Sequence, residues 1–218
     1  IPAGKVSKAK KHVAKVPAEV KAEYKPIDPG VEVYFTKSAG AKKCVPADVA
    51  VKVMQAVYAC PSGVDRMSLV MDNLVDTSNN LAIVKSEKGK IIVRTLMRGS
   101  CDTAKLDLCE AIRAVFELAG AKVVFTGGYS GWQPNMESPI LKTMKETYKN
   151  LYGVEADVKA IHAGLECAII SNNYPHWDMI SCGPTLMSPH SPDERVLIPT
   201  VEKWWNFLVE ALKNAPVK

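Results

Sequence analysis

The chain reads as a mixed α/β (α+β) protein in two parts, and three observations predict this. Period-2 and period-3.6 apolar patterns alternate along its 218 residues. Residues 31–126 run strand, helix, hairpin, helix, strand. After the Gly- and Pro-flanked stretch Tyr129-Ser-Gly-Trp-Gln-Pro134 the pattern changes to helices alternating with short apolar runs. The expected boundaries are 1–128 and 129–218.

Residues 1–30 are ambiguous. Lys11–Val16 fits a strand and Ala18–Tyr24 a short helix, with Pro17 between them, before Pro26 and Pro29-Gly30 break the chain. Val31-Glu-Val-Tyr-Phe-Thr36 alternates and is β-branched, which predicts a strand. Pro46 to Ala59 predicts a helix, with Val49, Val53, Ala56 and Cys60 on one face and Pro61-Ser-Gly63 ending it. Asn80–Ser86 and Lys90–Met97 predict a hairpin closed at Glu87-Lys-Gly89. Asp102 or Thr103 N-caps the next helix, whose face is Leu108, Ile112, Val115 and Ala119, with Gly120 at C′. Lys122–Thr126 predicts a closing strand. This order is the split βαβ, ferredoxin-like plan: two helices on one face of an antiparallel sheet, the other face free.

In the second part Ser138 caps a helix with Pro139 at N1 and an inner face of Ile140, Met144, Tyr148 and Leu151, ended by Gly153. Val158–Ile161 and Met179–Cys182 read as short buried strands, and Cys167–Ser171 continues a loop or helix started at His162–Glu166. Thr200 caps a last helix with Val201, Trp204, Trp205, Leu208 and Leu212 on its apolar face.

Composition bounds the function classes. With 47% apolar residues a sizeable core forms. No apolar run approaches the ~20 residues that span a bilayer, and the N-terminus is lysine-rich rather than apolar, so no membrane role is expected. The chain starts at Ile1 rather than Met, which implies a processed product or a piece. Six cysteines without C-x-x-C spacing fit buried thiols in a reducing, cytoplasmic setting. The net charge is +5, with Lys5, Lys8, Lys10, Lys11, Lys15, Lys21 and Lys25 crowded together. Without arginines and with Tyr24 as the single aromatic there, this is a solvated lysine face rather than a nucleic-acid footprint.

The residues available for chemistry are few. Gly183-Pro-Thr-Leu-Met-Ser-Pro-His190-Ser-Pro-Asp-Glu194 is a stiff loop that fixes one imidazole, suited to metal ligation, or else a surface turn. Asp193 and Glu194 either orient its second ring nitrogen or cap the following segment. His12 is a solvated residue and His176 a loop residue. His162 lies beside a short strand, with Glu166 four positions on. Asp72 and Asp76 read as caps or surface acids. No Walker loop, Rossmann fingerprint, G-x-S-x-G elbow or H-E-x-x-H appears, so the chain shows no complete active site.

Four motifs, in order, nonetheless resemble a known family: Gly131-Trp-Gln-Pro134, Ile161-His-Ala-Gly-Leu-Glu-Cys167, Ser181-Cys-Gly-Pro-Thr185 and Pro189-His-Ser-Pro-Asp-Glu194. Their spacing is similar to the C-terminal half of the aminoacyl-histidine dipeptidases, zinc enzymes of the aminoacylase and carnosinase clan. A looser likeness covers 60–128 through Thr77-Ser78, Asn80 and Leu96-Met-Arg98. The resemblance implies a ferredoxin-like lid and dimerisation domain followed by the C-terminal part of an α/β catalytic domain that holds two zinc ions. It makes His190 a zinc ligand. Arg98 becomes a clamp for the substrate carboxylate, Asn80 a group that reaches the scissile carbonyl, and Glu166, in the His162 loop, a partner for the free amine. His162 joins the substrate-binding set. The family's other ligands and its general base lie upstream of anything present here. The chain therefore carries at most one partial zinc site and no catalytic residue of its own, and is expected to be inactive alone. The implied partners are a dipeptide and a second copy of the chain. The alternative reading is a non-catalytic ferredoxin-like binding module with a basic N-terminus. An RNA-binding version needs aromatics on its central strands, and Ile91-Ile-Val-Arg-Thr-Leu96 offers none.

Overall fold

The structure, a computed structural model, describes residues 3–34, 36, 43–133, 135–160 and 166–215. The chain divides into two compact units, Ile1–Pro46 and Ala47–Lys218.

In the first unit a single 3-10 turn at Ala3–Lys5 leads into helices α1 (Val6–Val13) and α2 (Val16–Tyr24). The strand predicted across Lys11–Val16 does not form. Pro17 sits in the first turn of α2, where its missing N–H costs nothing, so it starts a helix instead of separating a strand from one. Neither helix buries a residue. Residues 31–34 and 36 have no regular secondary structure, so the predicted strand is not formed there, and Phe35 lies outside the described residues.

The second unit opens with α3 (Ala47–Ala59), then strands β1 (Gly63–Met67), β2 (Val75–Glu87) and β3 (Lys90–Gly99), then α4 (Asp102–Leu118). The three strands form one antiparallel sheet in the order β1-β2-β3. The hairpin register pairs Glu87 with Lys90, and the turn places Lys88 and Gly89 at φ of 49° and 76°. That is the type I′ conformation which matches the twist of the flanking strands. β1 was not foreseen, because Gly63-Val-Asp-Arg-Met67 carries too few apolar residues to alternate. Helices α3 and α4 pack on one sheet face. Ala56, Cys60, Leu108, Ile112 and Phe116 are buried against Leu81, Val93 and Met97. Each large side chain buried there contributes about 1.5–3 kcal/mol.

Residues 122–126 do not close the sheet as predicted. Val123 packs against the core, but a cavity of about 1500 Å³ is lined jointly by β3, α4 and residues 121–129, so no ladder reaches the edge of β3.

The remainder holds α5 (Pro139–Tyr152), α6 (Glu166–Asn173), the two-residue strands β4 (Leu186–Met187) and β5 (Arg195–Val196), and α7 (Pro199–Lys213). α5 packs on α7. Tyr148 meets Phe207 edge-to-face at 5.4 Å, and the Lys203 ammonium lies over the Tyr148 and Tyr152 rings. The buried side of α5 is Leu141, Met144 and Thr147, and that of α7 is centred on Phe207. The predicted faces are thus rotated: Leu151, Val201, Trp205 and Leu212 are exposed. Residues 158–160 and 179–182 form no strand, contrary to prediction: no backbone–backbone hydrogen bond pairs them among the described residues. Isoleucine 161, the last residue of the first run, lies outside the described residues. All six cysteines are free. Cys60 is the buried one, while Cys44 and Cys182 are exposed rather than buried as expected.

Candidate functional site

The sheet brings two of the anticipated residues together. The register pairs Asn80 with Leu96 and Ser78 with Arg98. Asn80 and Arg98 are therefore diagonal neighbours on the face without helices, within reach of one small ligand. Both are exposed. Beyond the irregularity between Leu81 and Ile83, this face continues with Ile83, Lys85, Ile92 and Arg94. It carries no aromatic ring.

At that end of the sheet lies a polar centre that the sequence reading missed. Asp76, only 4% exposed, accepts from Arg66 Nε at 2.9 Å and Nη2, and from Ser100 Oγ. Burial alone would raise its carboxyl. The Ser100 and Arg66 bonds outweigh that and hold it below its usual range. The reading of Asp76 as a cap or surface acid is corrected: the pair ties β1 to β2 and anchors the start of α4. Its place between Val75 and Thr77, at the head of a long alternating run, was the available signal. Cys101, at the N-cap of α4, has its thiol lowered first by the bond with Thr103 and then by the Ala104 amide.

The junction is tied to the same helix. Asp102 Oδ1 accepts from Lys105 Nζ at 2.7 Å and from the Gly131 amide at 2.8 Å, and Lys105 Nζ also donates to the Tyr129 carbonyl. Burial pushes the Asp102 carboxyl up, but the Lys105 and Gly131 bonds bring it below the ordinary range.

His190 sits in the loop joining β4 to β5, which pair Leu186 with Val196 and Met187 with Arg195. Its φ is +63° and that of Ser188 is +50°. Ser191 Oγ closes the turn onto the Ser188 carbonyl, and Glu194 Oε2 accepts from the His190 backbone N–H at 2.9 Å. Glu194 therefore bonds the backbone of His190 and not its ring, so of the two roles left open for it, orienting the ring is not the one seen. A non-glycine residue held in the left-handed region costs about 1–2 kcal/mol. Glu166 is the exposed first residue of α6, and His162 lies outside the described residues. No hydrogen bond or ion pair joins His190 or Glu166 to Asn80 or Arg98.

A cavity of about 710 Å³ is lined by Trp132, Val158, Met179, Ile180 and Trp204 among others. At its rim Asp178 accepts from Ser138 Oγ at 2.7 and 2.8 Å and from the Ile140 amide at 2.9 Å, and Ser138 Oγ accepts from the Leu141 amide. No group of three His, Cys, Asp or Glu among the described residues is placed to hold a metal ion. His190 offers one imidazole where zinc takes about four donors, so the residues present do not by themselves fit such an ion. No helix among the described residues is long and apolar enough to cross a membrane.

Comparison with known proteins bears on this arrangement. No family model matches the chain. The cytosol non-specific dipeptidase of Escherichia coli is 39% identical over 165 residues, which is 76% of this chain and 34% of that protein. The crystal structure of aminoacylhistidine dipeptidase from Vibrio alginolyticus superposes on all of this chain with a TM-score of 0.84 at 33% identity. The chain resembles these dipeptidases. It spans about a third of the first and 44% of the second. The mixed helix-and-sheet architecture is therefore that of a dipeptidase segment, in agreement with the motif resemblance.

Proposed function

We propose that this chain is the C-terminal portion of a zinc-dependent dipeptidase that hydrolyses Xaa-His-type dipeptides. Residues 1–128 serve as its lid and dimerisation domain, and residues 129–218 as the returning part of its catalytic domain. The observation that carries this reading is the match of the whole chain to 44% of aminoacylhistidine dipeptidase. The order of the four motifs supports the C-terminal placement.

In this reading Arg98 clamps the dipeptide carboxylate in a fork-to-carboxylate pair. Asn80, its diagonal neighbour, hydrogen-bonds the scissile carbonyl, while Glu166 and His162 receive the amine end. His190 supplies one zinc donor, and its constrained backbone suits a ligand that must be oriented in advance. The other donors and the general base come from outside this chain, so the chain alone hydrolyses nothing. The lid forms a homodimer: Ile83 and Leu96, 41% and 46% exposed on the helix-free face, support a contact with a second copy. The name of the Escherichia coli relative supports a cytoplasmic setting.

The test is a single-chain chimera in which this chain replaces the matching segment of the Vibrio enzyme. Zinc-dependent cleavage of a dipeptide ending in histidine is expected. His190→Ala should abolish it, and Arg98→Ala should raise KM more than it lowers kcat. A folded, zinc-loaded chimera that cleaves nothing would overturn the reading.

A further inference from the structure

Arg98 is exposed, and its guanidinium has no hydrogen-bond or ion-pair partner among the described residues. A carboxylate clamp has to be kept that way, because a fork already filled cannot take a substrate. Yet an acid stands beside it. Strand alternation puts Asp76, Ser78 and Asn80 on the helix-free face, while Asn79 turns to Cys60 and Leu81 to the core on the other. Ser78 is opposite Arg98, so Asp76 is the diagonal neighbour of Arg98 on one side as Asn80 is on the other. That diagonal is about 7–8 Å, within reach of a long side chain. Asp76 is ionised at neutral pH, since its carboxyl lies below the ordinary range. Charge and distance both favour an Asp76–Arg98 pair, and it does not form.

The carboxylate is already taken. Arg66 Nε and Nη2 both donate to Oδ2, and Ser100 Oγ donates to Oδ1. Arg66 reaches it from a place where β1 slips register on both sides, between Val64 and Arg66 and between Arg66 and Met67. Such irregularities re-aim a side chain. The Asp76 side chain is only 6% exposed. An ion pair sunk this far is weak evidence of stabilisation, because desolvation offsets its attraction.

We propose that Arg66 is a positioning residue: it holds Asp76 and so keeps Arg98 free to clamp the substrate carboxylate. The inference rests on the dipeptidase reading and deepens it. Ser100 is the second stay, on the other oxygen. Without Arg66 the bare carboxylate turns across the diagonal onto Arg98, where, fixed in the same sheet, it competes with substrate as an intramolecular ligand.

The test reads Arg98 directly, by nitrogen NMR of solvent exchange at its Nε–H in this full chain. In Arg66→Gln, which removes the charge and keeps a donor, exchange should slow about tenfold as Asp76 captures Arg98. Arg66→Gln combined with Asp76→Asn should return it to the parent rate, although the ion pair is then lost entirely. A merely structural role predicts the opposite order, with the double variant disturbed at least as much as the single. Ser100→Ala frees one oxygen and is the milder probe should Arg66→Gln melt too low; it should slow the same exchange about threefold. In the zinc-loaded single-chain chimera Arg66→Gln should raise KM about tenfold with kcat within about twofold. The double variant should recover the parent KM, and Arg66→Gln should add nothing in an Arg98→Ala background. An Arg98 exchange rate indifferent to Arg66→Gln, or one still slow in the double variant, overturns the proposal. The two readings fail separately. The expected exchange pattern beside an inactive chimera sinks the dipeptidase and leaves the role of Arg66 standing. An active chimera whose KM ignores Arg66→Gln sinks that role alone.

Discussion

The amide of Gly131 donates to Oδ1 of Asp102 at 2.8 Å, and this bond locks the junction loop onto the first turn of α4. The approach is so close that a Cβ at Gly131 would lie 2.2 Å from the Ser100 carbonyl oxygen and 2.6 Å from that of Gly99. Those neighbours are backbone and cannot swing away. The glycine is therefore required by contact, not by its dihedral angles. The negative charge at Asp102 also faces the positive end of the 17-residue helix it starts.

Gly131→Ala must move either the junction or the β3–α4 corner. It is expected to lower stability by about 1–3 kcal/mol or more, read as a lower urea midpoint. Asp102→Asn keeps an oxygen for the Gly131 amide and should cost less than Asp102→Ala, which strands both the amide and Lys105. Equal losses for the two Asp102 variants would mean that the charge, and not the bond to Gly131, is what matters.

Acid should loosen the same corner. The folded carboxyls of Asp76 and Asp102 both sit below their ordinary values. Their stabilisation is complete above the unfolded value of about 3.9 and is lost as pH falls through the lower folded values. Melting temperature should therefore drop as pH falls below about 4. Asp76→Asn should be less stable at neutral pH, since Arg66 loses its partner, yet show a shallower acid limb. An acid limb as steep in Asp76→Asn as in the parent would assign the acid sensitivity to other groups.

How much of this was legible in the sequence depends on what each element needed. The hairpin, α3, α4 and α5 were, because local signals decide them: Gly89 in the turn, Ser138 and Pro139 at a helix start, Gly153 in the left-handed region after its end. Residues 31–34, 122–126, 158–160 and 179–182 were not, because a strand is a property of a pair. Alternation in Val31–Tyr34 or apolarity in Met179–Cys182 declares a willingness to pair and cannot supply the neighbour. Asp76 was misread for a related reason. Its partners Arg66 and Ser100 are distant in sequence, and only the β1–β2 register brings the first of them alongside. The motifs pointed to His190, Arg98, Asn80 and Glu166, and of these the sheet register sets Asn80 and Arg98 side by side. The sequence carried no sign that Glu194 would hold the backbone of His190.

Ser138 and Asp178 allow a sharper separation of cap from network. Ser138 Oγ caps α5 through the Leu141 amide and also donates to Asp178, which itself accepts from the Ile140 amide. Ser138→Ala removes both roles and should cost about 1–2 kcal/mol. Ser138→Asp is a good cap in an isolated helix, but here it sets a second carboxylate against Asp178. It should therefore be no better than alanine at neutral pH and recover as pH falls. Thermal melts at two pH values check this, and an aspartate variant as stable as the parent at neutral pH would show that Asp178 is only a bystander.

His190 offers the most telling test, because its backbone and its imidazole pull in opposite directions. At φ of +63° glycine is at ease and histidine is not. His190→Gly should therefore leave the melting temperature of this chain unchanged or raise it slightly, within about 1 kcal/mol, with the extra freedom of the unfolded glycine offsetting part of the relief. His190→Val, β-branched, should be clearly less stable than either. In the single-chain chimera the ranking reverses for function: the glycine variant should be folded and devoid of dipeptide hydrolysis. Strain retained at a residue whose removal costs no stability is what a ligand-bearing position looks like. A glycine variant that is both stable and fully active would place His190 in an ordinary surface turn.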